Sequence, residues 1–157
     1  MTDGILLHVE DGLARVTFDR PASLNAMDFP MAARWRSVAH EVTTDASVVA
    51  VILEANGPAF CAGGDVVAMA TTGAAGREGT ETAEAIHDGI RTFAEAPLPM
   101  VAAVQGAVAG GGLGLMLTAD YVVASENARF VSRYANIGLT PDLGVSTLLP
   151  AAIGQRR

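Results

Sequence analysis

Two glycine-rich turns constrain this chain most strongly, because each follows an apolar run and precedes a short helical pattern. The first is Phe60–Asp65 and the second centres on Gly110–Gly112. The start of a helix presents free N–H groups, and glycine lets a ligand oxygen approach them. Two such turns on neighbouring strands could direct two N–H groups at one oxygen, which is an oxyanion hole. Glycine content alone favours a plainer interpretation: tight turns with close helix–strand packing.

Strand and helix patterns alternate along the chain and predict an α/β fold in one domain, residues 1–157. The predicted strands are 5–9, 13–18, 48–53, 100–104, 121–124 and 130–131. The predicted helices run from Asp28, as a cap, to about 42, then over 66–70, 80–95 and 111–118, and a last one begins at 146–149. The continuous apolar run at 48–53 predicts a strand buried on both faces. Residues 71–79 are small and polar, which predicts a mobile loop.

Composition excludes several classes of function. The chain has a net charge of −7 and no lysine, which excludes a lysine Schiff base and a P-loop lysine, and it has no basic cluster for a nucleic acid. The uncharged run from Met100 to Ala119 contains five glycines, so we expect no membrane span. The single Cys61 cannot form an internal disulfide, and no signal peptide is visible, so we expect a cytoplasmic protein. The three histidines lack metal-ligand spacing, so we expect no metal site.

Several ordered motifs resemble the crotonase superfamily, the enoyl-CoA hydratases and isomerases. The matching stretches are residues 20–27, 59–65, 104–112 and 119–121, and a last segment that extends from 128–130 to 137–142. The resemblance runs from about Ile5 to the last residue. It implies a crotonase-like ββα spiral that binds an acyl-CoA thioester, with coenzyme A as part of the substrate and no separate cofactor. Members normally continue into C-terminal helices, which this chain lacks, and we expect a homo-oligomer, a trimer or its multiple.

The resemblance also implies roles for individual residues. Gly64 and Gly111 fall where the family's two oxyanion-hole donors lie. Contacts to CoA and substrate are implied at Ser23, Leu24, Ala26, Ala62, Gly63, Asp65, Val66, Gly110 and Pro141. A basic residue is common in the family just after the proline, where this chain has Ala22. Arg20, or a basic residue from another part of the assembly, is the expected substitute.

The carboxylates that remain decide which chemistry is expected. A hydratase of this family uses two glutamates, and the matching positions here are Gly114 and Tyr134, which argues against standard hydration. Asp142 resembles the aspartate of the isomerase-like branch, which moves a proton between C2 and C4 of an enoyl-CoA. An apolar pocket would make it a better base. The same position is a nucleophile in family dehalogenases, and the structural alternatives for Asp142 are a helix cap or a turn.

Three functions within the family therefore stay open at the sequence level, and a small membrane or nucleotide-binding domain is the alternative from outside it. The first is an enoyl-CoA isomerase that acts through Asp142. The second is a hydratase or another crotonase reaction that uses water or a different residue. The third is a non-catalytic acyl-CoA-binding or scaffold protein. For Tyr134, a packed ring is favoured over a hydrogen bond inside the pocket, and Asp65 is expected to cap a helix.

Overall fold

The computed structural model describes residues 3–72 and 77–156 as an α/β fold. The strands are β1 (Ile5–Glu10), β2 (Leu13–Phe18), β3 (Ala50–Ala55), β4 (Met100–Val104), β5 (Ala107–Ala109), β6 (Tyr121–Ala124) and β7 (Arg129–Val131). The helices are α1 (Phe29–Thr44), α2 (Val66–Thr72), α3 (Arg77–Glu95), α4 (Gly111–Leu117) and α5 (Val145–Ile153). Short 3₁₀ turns lie at Pro21–Ser23 and Tyr134–Ile137.

Two sheets repeat the same local unit. The larger sheet has the order β1-β2-β3-β4-β6, in which β1 and β2 form an antiparallel hairpin and the other neighbours are parallel. The smaller sheet pairs β5 with β7 in parallel, and Cys61 adds a bridge to Val108 of β5. Each step through β3, β4 and β6 therefore continues into an extended segment of the second layer and then into helix. This is the predicted ββα spiral, and the fold class is confirmed.

The core lies between the larger sheet and the helix pair α1–α3. Trp35 of α1 is fully buried, and its ring centroid lies 6.0 Å from that of Phe18 and 5.1 Å from that of Phe93. The Trp35 Nε1–H donates to the Ile86 carbonyl at 3.2 Å, so the polar atom of this large ring is satisfied. Asp28 caps α1 as predicted, because its carboxylate accepts the Met31 N–H at 3.0 Å. This packing fixes α3 as one wall of the region above the sheet.

The prediction for the third strand was wrong in its bounds and in its burial. The strand begins at Ala50 because Val48 and Val49 are bonded to a turn and to the hairpin: the Val49 N–H donates to the Gly12 carbonyl at 2.8 Å. Val49 is 66% exposed, and inside the strand only alternate residues are fully buried. The apolar run therefore overestimated how far the neighbouring layers cover this strand.

The predicted loop at 71–79 is also corrected at both ends. Residues 71 and 72 belong to α2, and residues 77–79 belong to α3. Residues 73–76 lie outside the described residues. The predicted helix start at Thr80 was three residues too late.

The uncharged run from Met100 to Ala119 divides into β4, β5 and α4. The three-residue strand β5 is too short to produce a sequence pattern of its own, and the prediction omitted it. Of the helices formed by residues 3–72 and 77–156, none combines the length and apolar character needed to cross a membrane.

Candidate active site

One cavity of about 790 Å³ gathers most of the residues that the sequence singled out. Its walls come from the segment before α1, the first glycine turn with α2, the inner face of α3, the second glycine turn, and the segment that leads into α5. The predicted residues that line it are Ser23, Ala26, Ala62, Gly63, Gly64, Asp65, Val66, Gly110, Gly111 and Asp142. Leu24 and Pro141 are not part of the lining. Residues far apart in sequence thus meet at one concave surface.

The two glycine turns lie directly against each other. Gly63 has a φ of +97°, a conformation that glycine adopts without strain. A Cβ built on Gly63 would lie 2.9 Å from the Ala109 carbonyl oxygen and 3.2 Å from the Gly111 nitrogen. A side chain at residue 63 would therefore collide with the second turn. The absence of a side chain at Gly63 therefore allows the two turns to pack closely. Close packing of tight turns was the plainer interpretation of the glycines in the sequence.

The backbone amides of these turns differ in whether they donate a hydrogen bond within the protein. The Asp65 N–H donates to the Met27 carbonyl at 3.0 Å, and the Gly110 N–H donates to a carbonyl of β7 at 3.0 Å. By contrast, the N–H groups of Gly64 and Gly111 have no acceptor within residues 3–72 and 77–156. Both glycines line the cavity. Two backbone donors are therefore left available at the place where the two turns meet.

The Tyr134 hydroxyl contacts Asp142 and lies beside Gly111, so it links the carboxylate to the second glycine turn. The Tyr134 hydroxyl donates to Asp142 Oδ1 at 2.7 Å, and a Cβ built on Gly111 would lie 3.9 Å from the same hydroxyl. Helix α5 takes Gly144 as its cap and has no side-chain cap. The Asp142 carbonyl accepts the Val145 N–H at 2.9 Å, so the backbone makes the turn while the carboxylate turns toward the cavity.

The environment of this carboxylate differs from the expected one. An apolar pocket would make Asp142 a better base, but in the structure its side chain is exposed. Tyr134, its partner, is only 6% exposed. Burial, followed by the hydrogen bond to Asp142, raises the pKa of Tyr134 above its ordinary value. The phenol therefore stays protonated and keeps donating, so the tyrosine is both a packed ring and a hydrogen-bond donor.

The loop that precedes α1 is braced by Arg20 and Asn25. The Arg20 guanidinium pairs with Asp28 at 3.0 Å and Asp65 at 3.4 Å, and it donates to the Ala26 carbonyl. Arg20 is therefore paired with carboxylates of the scaffold, and its role as a substitute phosphate contact stays a prediction. Asn25 is fully buried and bonds only to backbone groups.

A family profile described as Enoyl-CoA hydratase/isomerase matches residues 8–157. The chain belongs to this family. Within this crotonase superfamily, it is 35% identical over 159 residues to the 1,2-epoxyphenylacetyl-CoA isomerase of Escherichia coli (strain K12), covering 100% of this chain and 61% of the relative. It is 32% identical to the trans-2-decenoyl-[acyl-carrier-protein] isomerase of Streptococcus mutans serotype c, covering 98% of this chain and 59% of the relative.

Solved structures of the enoyl-CoA hydratase/isomerase family agree with the fold. The crystal structure of an enoyl-CoA hydratase from Mycobacterium avium subsp. paratuberculosis K-10 superposes with a TM-score of 0.87 at 34% identity, covering 97% of this chain and 59% of that chain. The chain thus spans roughly three fifths of the length of these relatives, 59–61%. Their names include both isomerase and hydratase, so the family is shared while the reaction differs among members.

The position that matches a hydratase glutamate of the family has no room for a side chain. Gly114 is buried in α4, and a Cβ built there would lie 2.0 Å from the Leu143 carbonyl oxygen. Leu143 directly follows Asp142, and its backbone has a φ of +48°. The main chain of the Asp142 loop therefore occupies the space that a longer residue at position 114 would need.

Several residues that line the large cavity were not indicated by the sequence. Arg133 lines the cavity beside Tyr134 and is the cationic member of the described lining. Thr82, Ala83 and Ile86 of α3 also line it. The amphipathic pattern of α3 indicated a buried face but gave no sign that the face meets a cavity. Only the packing of α3 against the rest of the fold makes these residues part of the site.

Proposed function

We propose that this chain forms the acyl-CoA site of an enoyl-CoA isomerase, with coenzyme A entering as part of the substrate. The observation that carries the proposal is the placement of one carboxylate, Asp142, beside the turn that carries Gly111, with the Gly64 amide across the same cavity. A single base next to a pair of free backbone donors is sufficient for a double-bond shift, because one proton leaves one carbon and returns to another.

The reaction balances with this chain's own groups. The Asp142 carboxylate removes a proton from C2 of a 3-enoyl-CoA, and the electron pair moves into the thioester carbonyl to form a dienolate. The resulting carboxylic acid then returns the proton to C4, and the electrons come back from the enolate oxygen to give the conjugated 2-enoyl-CoA. The carboxylate is regenerated, and no water is consumed.

The backbone donors would stabilise the charge that forms in the first step. The enolate oxygen would lie between the Gly64 and Gly111 amides, whose hydrogens have no acceptor in the described chain. One donor of this kind typically lowers a barrier by about 3–4 kcal/mol. The Tyr134 hydroxyl holds Asp142 Oδ1 at 2.7 Å, which leaves Oδ2 for proton transfer.

Hydration is the weaker alternative for this site. Adding water needs a base for the water and a proton source for the α-carbon. Gly114 and Tyr134 stand where the family's two hydratase glutamates lie, and the Leu143 carbonyl fills the space beside Gly114. Asp65 also lines the cavity but pairs with Arg20 and caps α2, so among the described lining residues Asp142 is left to serve both tasks.

The test is the isomerisation of a 3-enoyl-CoA, followed by the ultraviolet absorbance of the conjugated thioester. We expect Asp142→Asn to lower kcat by about 100- to 10,000-fold, because it removes the base without changing its size. Asp45→Asn is the matched control, since Asp45 is exposed beyond the end of α1. Full activity in Asp142→Asn would refute the proposal. Thioester binding without turnover in the native chain would favour a non-catalytic acyl-CoA-binding protein, and rapid hydration of crotonyl-CoA would favour a hydratase.

A further inference from the structure

The loop that carries Asp142 is attached to α3 through a histidine. The Leu143 N–H donates to His87 Nε2 at 3.0 Å, although the two residues are 56 positions apart. Because Nε2 accepts this hydrogen bond, the imidazole is neutral and carries its proton on Nδ1. The contact therefore depends on the protonation state of one side chain.

Leu143 connects this histidine to the proposed catalytic groups. Its backbone has a φ of +48°, which is uncommon for a residue other than glycine. Its side chain is 5% exposed, and a Cβ built on Gly111 would lie 2.5 Å from Leu143 Cδ1. Its carbonyl oxygen lies against Gly114. The residue that follows Asp142 is thus held on three sides, and His87 supplies the acceptor for its amide.

His87 lies outside the lining of the large cavity. It borders a separate recess of about 250 Å³, together with Ile90, Arg91, Leu143 and Gly144. A group in that position reaches a bound substrate only through the loop it holds. His87 is therefore suited to placing Asp142 and not to exchanging protons with the acyl group.

We propose that His87 is a positioning residue of the isomerase site: its neutral imidazole fixes the left-handed backbone at Leu143 and so holds the Asp142 carboxylate beside the Tyr134 hydroxyl. The proposal rests on the proposed function in that it takes Asp142 as the base. It adds a residue on α3 that places the proposed base without touching the substrate.

The test compares His87→Gln, whose side-chain oxygen can accept the amide hydrogen, with His87→Phe, which keeps a ring but no acceptor. His8→Gln is the control, because His8 is exposed on β1. We expect His87→Phe to lower kcat for isomerisation by about 10- to 100-fold, with KM changed less than about twofold because the cavity walls remain. His87→Gln should restore most of kcat, and His8→Gln should keep the native kcat.

A readout without turnover separates this proposal from the proposed function. The Leu143 amide hydrogen, followed by NMR in deuterated water, should exchange faster in His87→Phe than in the native chain, and His87→Gln should restore slow exchange. Native exchange of the Leu143 amide in His87→Phe, or native kcat in that variant, would overturn the positioning role. Activity retained in Asp142→Asn would instead refute the isomerase mechanism, while the exchange rate of the Leu143 amide would still decide the contact to His87.

Discussion

The Tyr134 hydroxyl donates a 2.7 Å hydrogen bond to Asp142 Oδ1 and lies beside Gly111. The tyrosine thus connects the carboxylate to the turn of Gly111, whose amide has no acceptor among the residues that the structure describes. Its ring is buried in the core, which restricts where its hydroxyl can point. The orientation of Asp142 is therefore set by a residue on another segment and not by its own loop alone.

Replacing Tyr134 by Phe tests this orientation. A hydrogen bond to a charged group contributes about 1.5–3 kcal/mol, so we expect kcat for isomerisation to fall by roughly 10- to 100-fold. Tyr121→Phe is the matched control, because Tyr121 is the chain's other tyrosine and is 75% exposed. Equal kcat values in the two variants would show that the hydroxyl does not orient the carboxylate.

The alkaline titration of Tyr134 follows from its raised pKa. Tyr134 is the single tyrosine of the Tyr121→Phe variant. The absorbance of its phenolate should appear only at a pH above the ordinary tyrosine pKa of about 10. Because the folded-state pKa is raised, its contribution to stability is complete below the unfolded pKa and is lost as pH rises toward the folded one. Ionisation at the ordinary pKa in the folded protein would contradict the buried, bonded hydroxyl.

Gly114→Ala tests whether the Asp142 loop fills the space above α4. The new Cβ would meet the Leu143 carbonyl oxygen at 2.0 Å, so that loop must move. Overpacking of this kind typically costs about 1–3 kcal/mol. We expect a lower Tm and a reduced kcat together, since the displaced residue adjoins Asp142. A variant with native Tm and native kcat would mean that the loop moves aside at no cost.

Asn25→Ala tests the role of the loop before α1. The Asn25 amide donates to the Asn56 carbonyl at 2.9 Å and the Ala59 carbonyl at 2.8 Å, and its oxygen accepts the Arg20 N–H at 2.7 Å. Removing these bonds leaves the buried Ala59 carbonyl without this donor and takes a partner from the Arg20 and Asn56 backbone groups, at about 1–3 kcal/mol for a fully buried group and less for the others. We expect the free energy of unfolding to fall by about 3 kcal/mol, measured by urea denaturation. Weakened acyl-CoA binding without loss of stability would instead assign Asn25 to the substrate.

The single thiol offers a test of the core. Cys61 is fully buried, and burial raises its pKa to about 12. The thiolate needed for alkylation is therefore almost absent at neutral pH, and the sulfur has no access to a reagent. We expect no labelling of the native protein by iodoacetamide at about pH 8 and complete labelling in urea. Rapid labelling of the native protein would show that the first glycine turn opens.

Local patterns in the sequence carried the predictions that the structure confirmed. The alternation of apolar strands and amphipathic helices predicted the α/β class. The predicted caps at Asp28 and Asp65 lie at the starts of α1 and α2, where each carboxylate accepts the N–H of the residue three positions later. Such features depend on neighbours within one or two turns, so the order of residues is sufficient to reveal them. The start of β3 at Ala50 and the existence of β5 depend on pairing with strands that are distant in sequence. The predicted start of β3 was therefore wrong, and β5 was omitted.

The sequence by itself determined the α/β class, most of the elements, the places of the glycine turns and the absence of glutamates at positions 114 and 134. Tertiary structure decided what those residues contact: the Leu143 carbonyl over Gly114, the bond from Tyr134 to Asp142, and the engagement of Arg20 by two carboxylates. The physical reason is that periodicity specifies which face of an element is buried. The partner on that face is chosen only when segments many residues apart come within hydrogen-bonding or van der Waals distance.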